Sequence, residues 1–111
     1  MTPDAPDCPD HPLAAVDETI HARVRLGAMA ILVAEGPRDF VVLRRTLGAS
    51  DGNLATHLRI LEEAGYVEVR KAFVGRRPRT TYFATEKGRT ALANYARAME
   101  RLLAGIPSTS P

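Results

Sequence analysis

The sequence predicts a mainly α-helical domain of the α+β class with one small β-hairpin, and three observations support this prediction. Apolar residues recur at helical spacing in four segments of the chain. Two strand-like runs of β-branched and aromatic residues follow the third helical segment. A Gly-Arg-Arg-Pro-Arg sequence, which is typical of a turn, joins these two runs. We predict helices at about 17–35, 41–47, 50–64 and 85–104, and hairpin strands at about 66–73 and 79–84.

The composition is that of a single small globular domain. The chain has 111 residues, of which 45% are hydrophobic and 25% are charged, and these values are ordinary for a folded domain. Its apolar runs are far shorter than the ~20 residues of a membrane helix, and its first residues lack the pattern of a signal peptide. We therefore expect a soluble cytoplasmic protein. Cys8 is the single cysteine, which excludes an internal disulfide.

Positive charge is concentrated in one short stretch of the chain. The net charge is only +2, which by itself is weak support for a nucleic-acid partner. Residues 1–16 carry three Asp residues and no Lys or Arg, so the remainder has 15 basic against 10 acidic residues, or +5. From Arg70 to Arg79 there are five basic residues and no acidic one. A local cluster of this kind indicates a polyanionic partner such as a nucleic acid.

The two ends of the chain are predicted to be irregular. Four prolines alternate with Asp and small residues before about Ala15, and such a segment cannot bury enough apolar surface to become ordered. The last residues, which follow Gly105 and Pro107, are expected to fray. The predicted organisation is a disordered arm at 1–15, a folded domain at 16–105 and a flexible tail at 106–111.

The first and last long helices are predicted to have apolar surfaces wider than one small domain can cover. Asp17 is a suitable N-cap for the first helix, and Gly36-Pro37 ends it. Thr85 is the equivalent cap of the last helix. Because the apolar residues lie on more than one side, we expect a second subunit to cover part of them. The candidate dimer contacts are Ile20, Val24, Tyr95, Met99, Leu102 and Leu103.

The second and third helices form a helix–turn–helix pattern. Gly48 supplies the left-handed residue that ends one helix, and Ser50 is the candidate N-cap of the next. In the later helix Leu54, Leu58 and Leu61 have the i, i+4, i+7 spacing of one core-facing stripe. At ~100° per residue, the opposite face carries mostly polar or small residues, namely Gly52, Asn53, Thr56, Arg59, Ile60 and Glu63.

That opposite face has the side chains that direct contact with DNA bases requires. Base edges are recognised by short polar side chains near the N-terminal end of a helix in the major groove. The candidate base-contacting residues are Asp51, Gly52, Asn53, Thr56 and His57. Alternative structural roles are packing against the leucine stripe for His57, support of the helix start for Asn53, and solvated surface for Arg44. Candidates for the DNA backbone are Ser50, Arg44, Arg59, Arg70, Lys71, Arg76, Arg77, Arg79 and Thr80.

The order of these motifs resembles the winged helix–turn–helix transcriptional regulators of the MarR and ArsR type, in their small branch with little beyond the DNA-binding domain. The similarity covers about Asp17 to Leu103 and is strongest in Gly-Asn-Leu-Ala-Thr-His-Leu, Gly-Arg-Arg-Pro-Arg-Thr-Thr-Tyr and Thr-Glu-Lys-Gly-Arg. The resemblance implies a homodimeric repressor at the bacterial nucleoid, with helix 50–64 in the major groove of double-stranded DNA. It places the turn at 75–79 on the DNA backbone or in the minor groove. It also leaves open a small-molecule effector of unknown identity between the subunits.

Metal, cofactor and enzyme chemistry are not expected. Metal-sensing ArsR-type regulators use paired Cys or clustered His and acidic ligands, whereas this chain offers Cys8 and His11 in the arm and one Asp17/His21 pair. The sequence has no nucleophile–base set and no phosphate-binding Gly loop. Two alternatives to a regulator remain, a winged-helix module that binds an acidic protein and a sequence-independent chromosome-binding protein.

Overall fold

Four α-helices and a three-stranded antiparallel sheet make up the computed structural model, which describes residues 9–107. The predicted class, mainly α-helical with a β-hairpin, is confirmed. No helix in the described range is both long enough and apolar enough to cross a membrane. The helices are α1 (Arg23–Ala34), α2 (Phe40–Leu47), α3 (Asp51–Glu63) and α4 (Glu86–Leu103), and the strands are β1 (Arg38–Asp39), β2 (Val67–Val74) and β3 (Arg77–Ala84).

The predicted arm at 1–15 is described only from residue 9 onward. Pro12–Ala15 form a 3₁₀ helix that packs against α4, where the sequence predicts no order. The His11 ring caps this helix, because its Nδ1 accepts a hydrogen bond from the Leu13 N–H at 3.1 Å. Cys8 and the end of the predicted tail, residues 108–111, lie outside the described residues.

The first long helix begins later than predicted. The sequence predicts a helix from Asp17, whereas α1 starts at Arg23. Asp17 does cap a turn, since its Oδ1 accepts hydrogen bonds from the backbone N–H groups of Thr19 at 2.8 Å and Ile20 at 3.1 Å. That turn is separate from α1 because Ala22 is extended, with φ −150° and ψ 137°. The prediction of one continuous helix from Asp17 is therefore wrong, although the cap itself is present.

Local caps determine both ends of the helix–turn–helix. Gly48, with φ 62°, ends α2, and Ser50 Oγ accepts the backbone N–H of Asn53 at 3.2 Å at the start of α3. Asp39 is a cap that the sequence did not indicate. Its Oδ1 accepts the backbone N–H of Val42 at 2.9 Å, and α2 consequently starts one residue earlier than predicted. Because polar caps and a left-handed glycine close these ends, the connection between α2 and α3 is set locally.

The hairpin of β2 and β3, which we call the wing, has a tighter turn than predicted. Its register pairs Val74 with Arg77, so the turn contains only Gly75 and Arg76. Gly75 has φ +66°, and a glycine with positive φ in the first central position is typical of a type II′ turn. Pro78 therefore lies inside β3. The strand tolerates it because the pair next to the closing pair of a two-residue hairpin is not hydrogen-bonded.

The core lies between α1, α2, α3 and one face of the sheet. Its residues are mainly aliphatic, as the low aromatic content of 5% requires. Tyr82 of β3 is the aromatic residue that closes it on the side of the sheet. The buried cluster consists of Val24, Ala28, Met29, Leu32, Leu43, Leu54, Leu58, Leu61, Val67 and Tyr82.

Half of the candidate dimer contacts are buried inside the chain itself. Ile20 is 0%, Val24 is 8% and Tyr95 is 6% exposed, so these residues pack within one subunit and offer no surface to a second. Helical spacing correctly predicted that these residues are buried, but the prediction that a second subunit buries them is wrong. Spacing alone does not distinguish the chain's own core from a subunit interface. The other candidates remain at least partly exposed, namely Met99, Leu102 and Leu103.

Gly88, in the first turn of α4, allows that helix to approach the start of the wing closely. A Cβ at this position would overlap the carbonyl oxygen of Tyr66 and lie 2.9 Å from Met29 Cε. We expect Gly88→Ala to lower the free energy of unfolding by about 1–3 kcal/mol, because a backbone carbonyl cannot swing aside as a flexible side chain can. Urea denaturation followed by circular dichroism measures this change.

Gly52→Ala is the matched control for this substitution. Gly52 also lies in the first turn of a helix, but a Cβ there meets no atom within 4 Å. Its replacement should leave the free energy of unfolding unchanged or raise it by up to about 1 kcal/mol. Equal destabilisation by the two substitutions would contradict the steric explanation.

Tyr66 directly precedes β2 and links the wing to the turn at Asp17. Its hydroxyl donates a hydrogen bond to Asp17 Oδ2 at 2.5 Å. This hydrogen bond, together with burial and the negative charge of Asp17, raises the pKa of Tyr66 from 10.0 to about 12. The hydroxyl therefore stays protonated, and keeps donating, well into alkaline solution.

The stability that this hydrogen bond contributes depends on pH. Because the pKa of Tyr66 is higher in the folded protein than in the unfolded chain, the contribution is complete below about pH 10 and is lost as the pH rises through about 12. We expect Tyr66→Phe to lower the free energy of unfolding by about 1–3 kcal/mol near neutral pH. The difference from the unsubstituted protein should shrink above about pH 10. Denaturant titrations of both proteins across this range check the prediction, which a pH-independent difference would contradict.

Candidate nucleic-acid interface

Three leucines set the orientation of α3. Leu54, Leu58 and Leu61 are 0%, 1% and 0% exposed, so this stripe faces the core. The opposite face is consequently at the surface, and Asn53 and Thr56 lie on it. These two candidates for base contact are therefore accessible in the first half of α3.

The exposed residues at the start of α3 differ in the chemical groups they offer. Thr56 Oγ1 donates a hydrogen bond to the Gly52 carbonyl at 3.0 Å, so its hydroxyl can act towards a partner only as an acceptor. Asn53 uses its backbone N–H in the cap at Ser50, and its exposed side-chain amide provides both donors and an acceptor. A Cβ on Gly52 would meet no atom within 4 Å, so the backbone itself is open to close approach.

Asp51 and Arg44, candidates for base and backbone contact respectively, are paired with each other. Arg44 Nε lies 3.0 Å from Asp51 Oδ1, and the pair joins α2 to the start of α3. Asp51 also occupies the first turn of α3, where the helix dipole favours negative charge. Since 80% of the Asp51 side chain is exposed, the pair adds little stability, and another anion can compete for Arg44.

His57 has a different environment from the other candidates. It is half-buried, and Arg25 Nη1 lies 3.0 Å from its Nδ1. Because a guanidinium only donates hydrogen bonds, Nδ1 is the acceptor and the proton of the neutral ring lies on Nε2. Arg25 is fixed in turn by the Thr19 carbonyl, which accepts from its Nε at 2.6 Å. This hydrogen bond engages one ring nitrogen of His57, so only Nε2–H is left for the DNA contact that the sequence predicts.

Arg25 is the residue near this surface that the sequence did not indicate. It lies on α1, 32 positions before His57, and no local spacing relates the two. The only available signal was an arginine between the apolar residues Val24 and Leu26, which indicates that this part of α1 needs a polar neighbour but not which one.

The candidate metal ligands that lie within the described residues have other partners, and His11 caps the 3₁₀ helix. His21 Nδ1 lies 2.8 Å from the hydroxyl of Tyr95, and Asp17 is engaged by the turn that it caps and by Tyr66. Within residues 9–107, no three His, Cys, Asp or Glu side chains converge as ligands of a metal ion would.

The basic side chains of the wing fall into two groups. Arg70 lies 3.8 Å from Glu68, with its guanidinium 4.3 Å from the centre of the Phe83 ring. Arg79 Nε lies 3.9 Å from Asp39. Both ion pairs are long, and both arginines are exposed, so the pairs neutralise these arginines only weakly. The second group of basic residues on the wing is exposed and forms no ion pair with any described residue. It consists of Lys71, Arg76 and Arg77.

A groove of about 380 Å³ separates α3 from the wing. Arg59 of α3 and Lys71 of β2 line it together with one carboxylate, Glu62. Tyr82 also lines it, and burial and the negative charge of Glu62 raise the pKa of this tyrosine. Thr80, which is half-buried, lies opposite Lys71 in the hairpin. The groove therefore has a positive net charge where it connects the exposed face of α3 to the wing.

Comparisons with known proteins agree on one domain type. A family model described as a winged helix DNA-binding domain matches residues 24–103. An uncharacterized protein of Methanocaldococcus jannaschii is 40% identical over 72 residues, which are 65% of this chain and 78% of that protein. A transcriptional regulator homologue from Pyrococcus horikoshii superposes with a TM-score of 0.77 and 27% identity, over 83% of this chain and 91% of that one. A MarR family regulator from Neisseria meningitidis shares the fold, with a TM-score of 0.55 and 17% identity over 77% of this chain and 61% of that one.

Proposed function

Since this chain belongs to the family of winged helix DNA-binding domains, we propose that it is a sequence-specific transcriptional regulator that acts as a homodimeric repressor. The observation that carries this proposal is the orientation of α3, which exposes short polar side chains near its start while its leucine stripe faces the core. A helix that enters the major groove to contact bases needs that arrangement.

In this proposal the first turns of α3 contact base edges. The Asn53 amide can pair bidentately with adenine, and Thr56 can place its methyl group against that of thymine. Gly52 lets the backbone approach the groove because it carries no side chain. Asp51 is compatible with this surface because Arg44, 3.0 Å away, offsets the repulsion between its carboxylate and the phosphates.

The wing and the neighbouring groove are assigned to the DNA backbone. Arg59 and Lys71 line the groove beside α3, where a phosphate strand would neutralise both and release counterions. Arg76 and Arg77 at the end of the wing then contact the phosphates that border the adjacent minor groove, where the negative potential is strongest in narrow A·T-rich sequence. His57 contributes only its Nε2–H, because its Nδ1 is already occupied.

Dimerisation is assigned to the C-terminal half of α4. Leu103 is 49% and Ile106 is 64% exposed, and Met99 and Leu102 are only half-buried. The apolar stripe of α4 therefore continues beyond the part that the rest of the chain covers, and a second copy of the same helix would bury it. The two-fold symmetry of such a dimer implies a pseudo-palindromic operator with half-sites ~34 Å apart or a multiple of that distance.

A groove of about 540 Å³ is the place where the proposal puts a small-molecule effector. It lies between residues 14–17 and the first half of α4, and its lining includes Asp17, Tyr66 and Lys87. Lys87 Nζ lies 5.7 Å from the centre of the Tyr66 ring. The groove therefore combines an aromatic ring and a cation with two carboxylates, those of Asp17 and Glu86. A molecule bound there would touch α4, the helix assigned to the dimer.

The exposed face of α3 favours this proposal over its two alternatives. A module that binds an acidic protein needs the basic wing, and so does a protein that coats chromosomes without sequence preference. Neither needs short polar side chains at the start of α3. The exposure of Asn53 and Thr56 therefore supports sequence-specific binding.

Selection of bound fragments from random duplex DNA, at two salt concentrations, tests the proposal. We expect enrichment of one motif with two-fold symmetry. Asn53→Ala should then reduce discrimination by ~1–3 kcal/mol at particular base pairs of that motif, because alanine cannot form the bidentate pair with a base. Competition binding with single-base variants of the selected site measures this reduction.

Glu63→Gln is the control within the same helix. Glu63 is exposed but lies at the opposite end of α3, so its replacement should leave base preference unchanged. A bound pool without any motif would instead support chromosome coating. If Asn53→Ala bound the selected site and all of its single-base variants more weakly by the same factor, base contact by Asn53 would be ruled out.

The salt dependence of binding tests the role of the wing. The double variant Arg76→Ala, Arg77→Ala should bind every duplex more weakly. Its plot of log affinity against log salt concentration should flatten by ~0.9 for each phosphate that the wing no longer neutralises, because fewer counterions are released. Fluorescence anisotropy of a labelled duplex measures both effects.

The double variant Arg23→Ala, Arg89→Ala removes the same charge from exposed positions on α1 and on the first turns of α4, away from the half of α4 assigned to the dimer. It should leave the salt dependence unchanged, which separates the role of the wing from the effect of net charge. The wing would be excluded from the interface if its own double variant kept the original slope.

A further inference from the structure

The most exposed large apolar side chain within residues 9–107 lies on the wing. Phe73 is 75% exposed, one residue before the end of β2, and its cross-strand partner is Pro78. A phenylalanine ring left in water adds nothing to the core, because only apolar surface that is transferred out of water contributes to stability. Packing within the chain therefore does not explain this residue.

The two apolar residues before the turn lie on opposite faces of the wing. Side chains alternate along a strand, so Phe73 shares its face with Val69 and Lys71, and Val74 takes the other face. Val69 and Lys71 line the groove beside α3, whereas Val74 lines a separate groove with Phe40. Phe73 thus extends the surface that faces α3, which is the surface assigned to DNA.

The surroundings of Phe73 are positively charged. Residues 69–85 contain five basic and no acidic residues, and Lys71, Arg76 and Arg77 form no ion pair with any part of the chain that the structure describes. An apolar ring within a cationic rim does not suit a second copy of this chain, because two such wings repel each other. It suits a partner that is negatively charged at its edges and apolar between them. The minor groove of a duplex, with phosphates on both sides of stacked bases, has that form.

The wing gives Phe73 a regular backbone from which to project. β2 and β3 pair without interruption from Val67↔Ala84 to Val74↔Arg77. Phe73 pairs with Pro78 in this register, and the proline ring fixes the backbone φ of that position. Side chains that separate stacked bases are apolar, and Phe73 presents such a side chain from a paired strand.

We propose that Phe73, supported by Pro78, inserts from the wing into the minor groove, partly unstacks one base step and bends the DNA. This inference rests on the proposed function and adds a specificity-determining residue to it. Pyrimidine–purine steps such as TA and CA unstack most easily. The wing therefore favours such a step at its point of contact without a hydrogen bond to any base.

A tryptophan at the proposed wedge provides a direct test, because the chain contains no other tryptophan. The probe is a duplex of about 30 base pairs, or roughly three helical turns, that carries TA steps throughout. We expect the fluorescence of Phe73→Trp to fall roughly two-fold or more on binding, as the indole stacks on a base. Val74→Trp is the matched control on the opposite face, and its fluorescence should change little. Anisotropy of a fluorescein label on the duplex reports binding independently.

The bend is measured by energy transfer between labels at the two ends of the same duplex. Saturating amounts of the unsubstituted protein should raise the transfer, because bending brings the ends together. Phe73→Ala should raise it much less at saturation. Arg76→Ala should need more protein to saturate but reach the full rise, since it removes a phosphate contact and not the wedge.

Each remaining outcome decides between explanations. Equal quenching of the two tryptophan variants, or a full bend with Phe73→Ala, overturns the wedge and leaves the proposed function intact. Failure of the unsubstituted protein to bind any duplex overturns both. A change from dimer to monomer in sedimentation of Phe73→Ala would assign the ring to a second copy of the chain, and this result also overturns the wedge.

Discussion

The burial of one leucine stripe determines what α3 can present to a partner. Leu54, Leu58 and Leu61 are almost completely buried, and each contributes roughly 1.5–3 kcal/mol relative to an exposed side chain. Rotation of α3 by one residue would expose part of this stripe and press polar groups such as the Asn53 amide towards the core, where they would lack partners. The surface that contains Asn53 and Thr56 is therefore fixed by the core beneath it. The sequence of that surface is then free to vary while the fold stays the same.

The polar contacts around this surface differ in how easily they can be exchanged. The Arg44–Asp51 pair is largely exposed, and Arg79 lies 3.9 Å from Asp39. Surface pairs of this kind are typically worth ~0–1 kcal/mol, so each arginine can also turn towards a phosphate at little cost. His57 behaves differently, because it is half-buried and hydrogen-bonded from α1. Arg44 and Arg79 are thus placed where they can also bind a phosphate. His57, in contrast, supports the orientation of α3.

Features set by neighbouring residues could be predicted from the sequence, and features set by contacts distant in the chain could not. The Ser50 cap and the leucine spacing of α3 are local, so the helix–turn–helix and its exposed face were located correctly. Asp17 was recognisable as a cap, but its hydrogen bond to Tyr66, 49 residues away, and the extended residue that separates its turn from α1 were not. His57 shows the same limit within the candidate site, because Arg25, 32 residues away, occupies its ring nitrogen. Local patterns predict which face is exposed, and the tertiary fold decides which polar groups on it are already engaged.

Tyr66 connects α4 mechanically to the wing. Its carbonyl accepts the backbone N–H of Thr85 at 3.0 Å, and the absence of a side chain at Gly88 lets α4 lie against the same carbonyl. Its hydroxyl is bound to Asp17, and β2 begins at the next residue. A displacement of α4 therefore either moves the base of the wing or breaks these contacts, because a closely packed junction has few intermediate arrangements. The wing, which carries Phe73, is therefore coupled to α4 through direct contacts and not through a flexible linker.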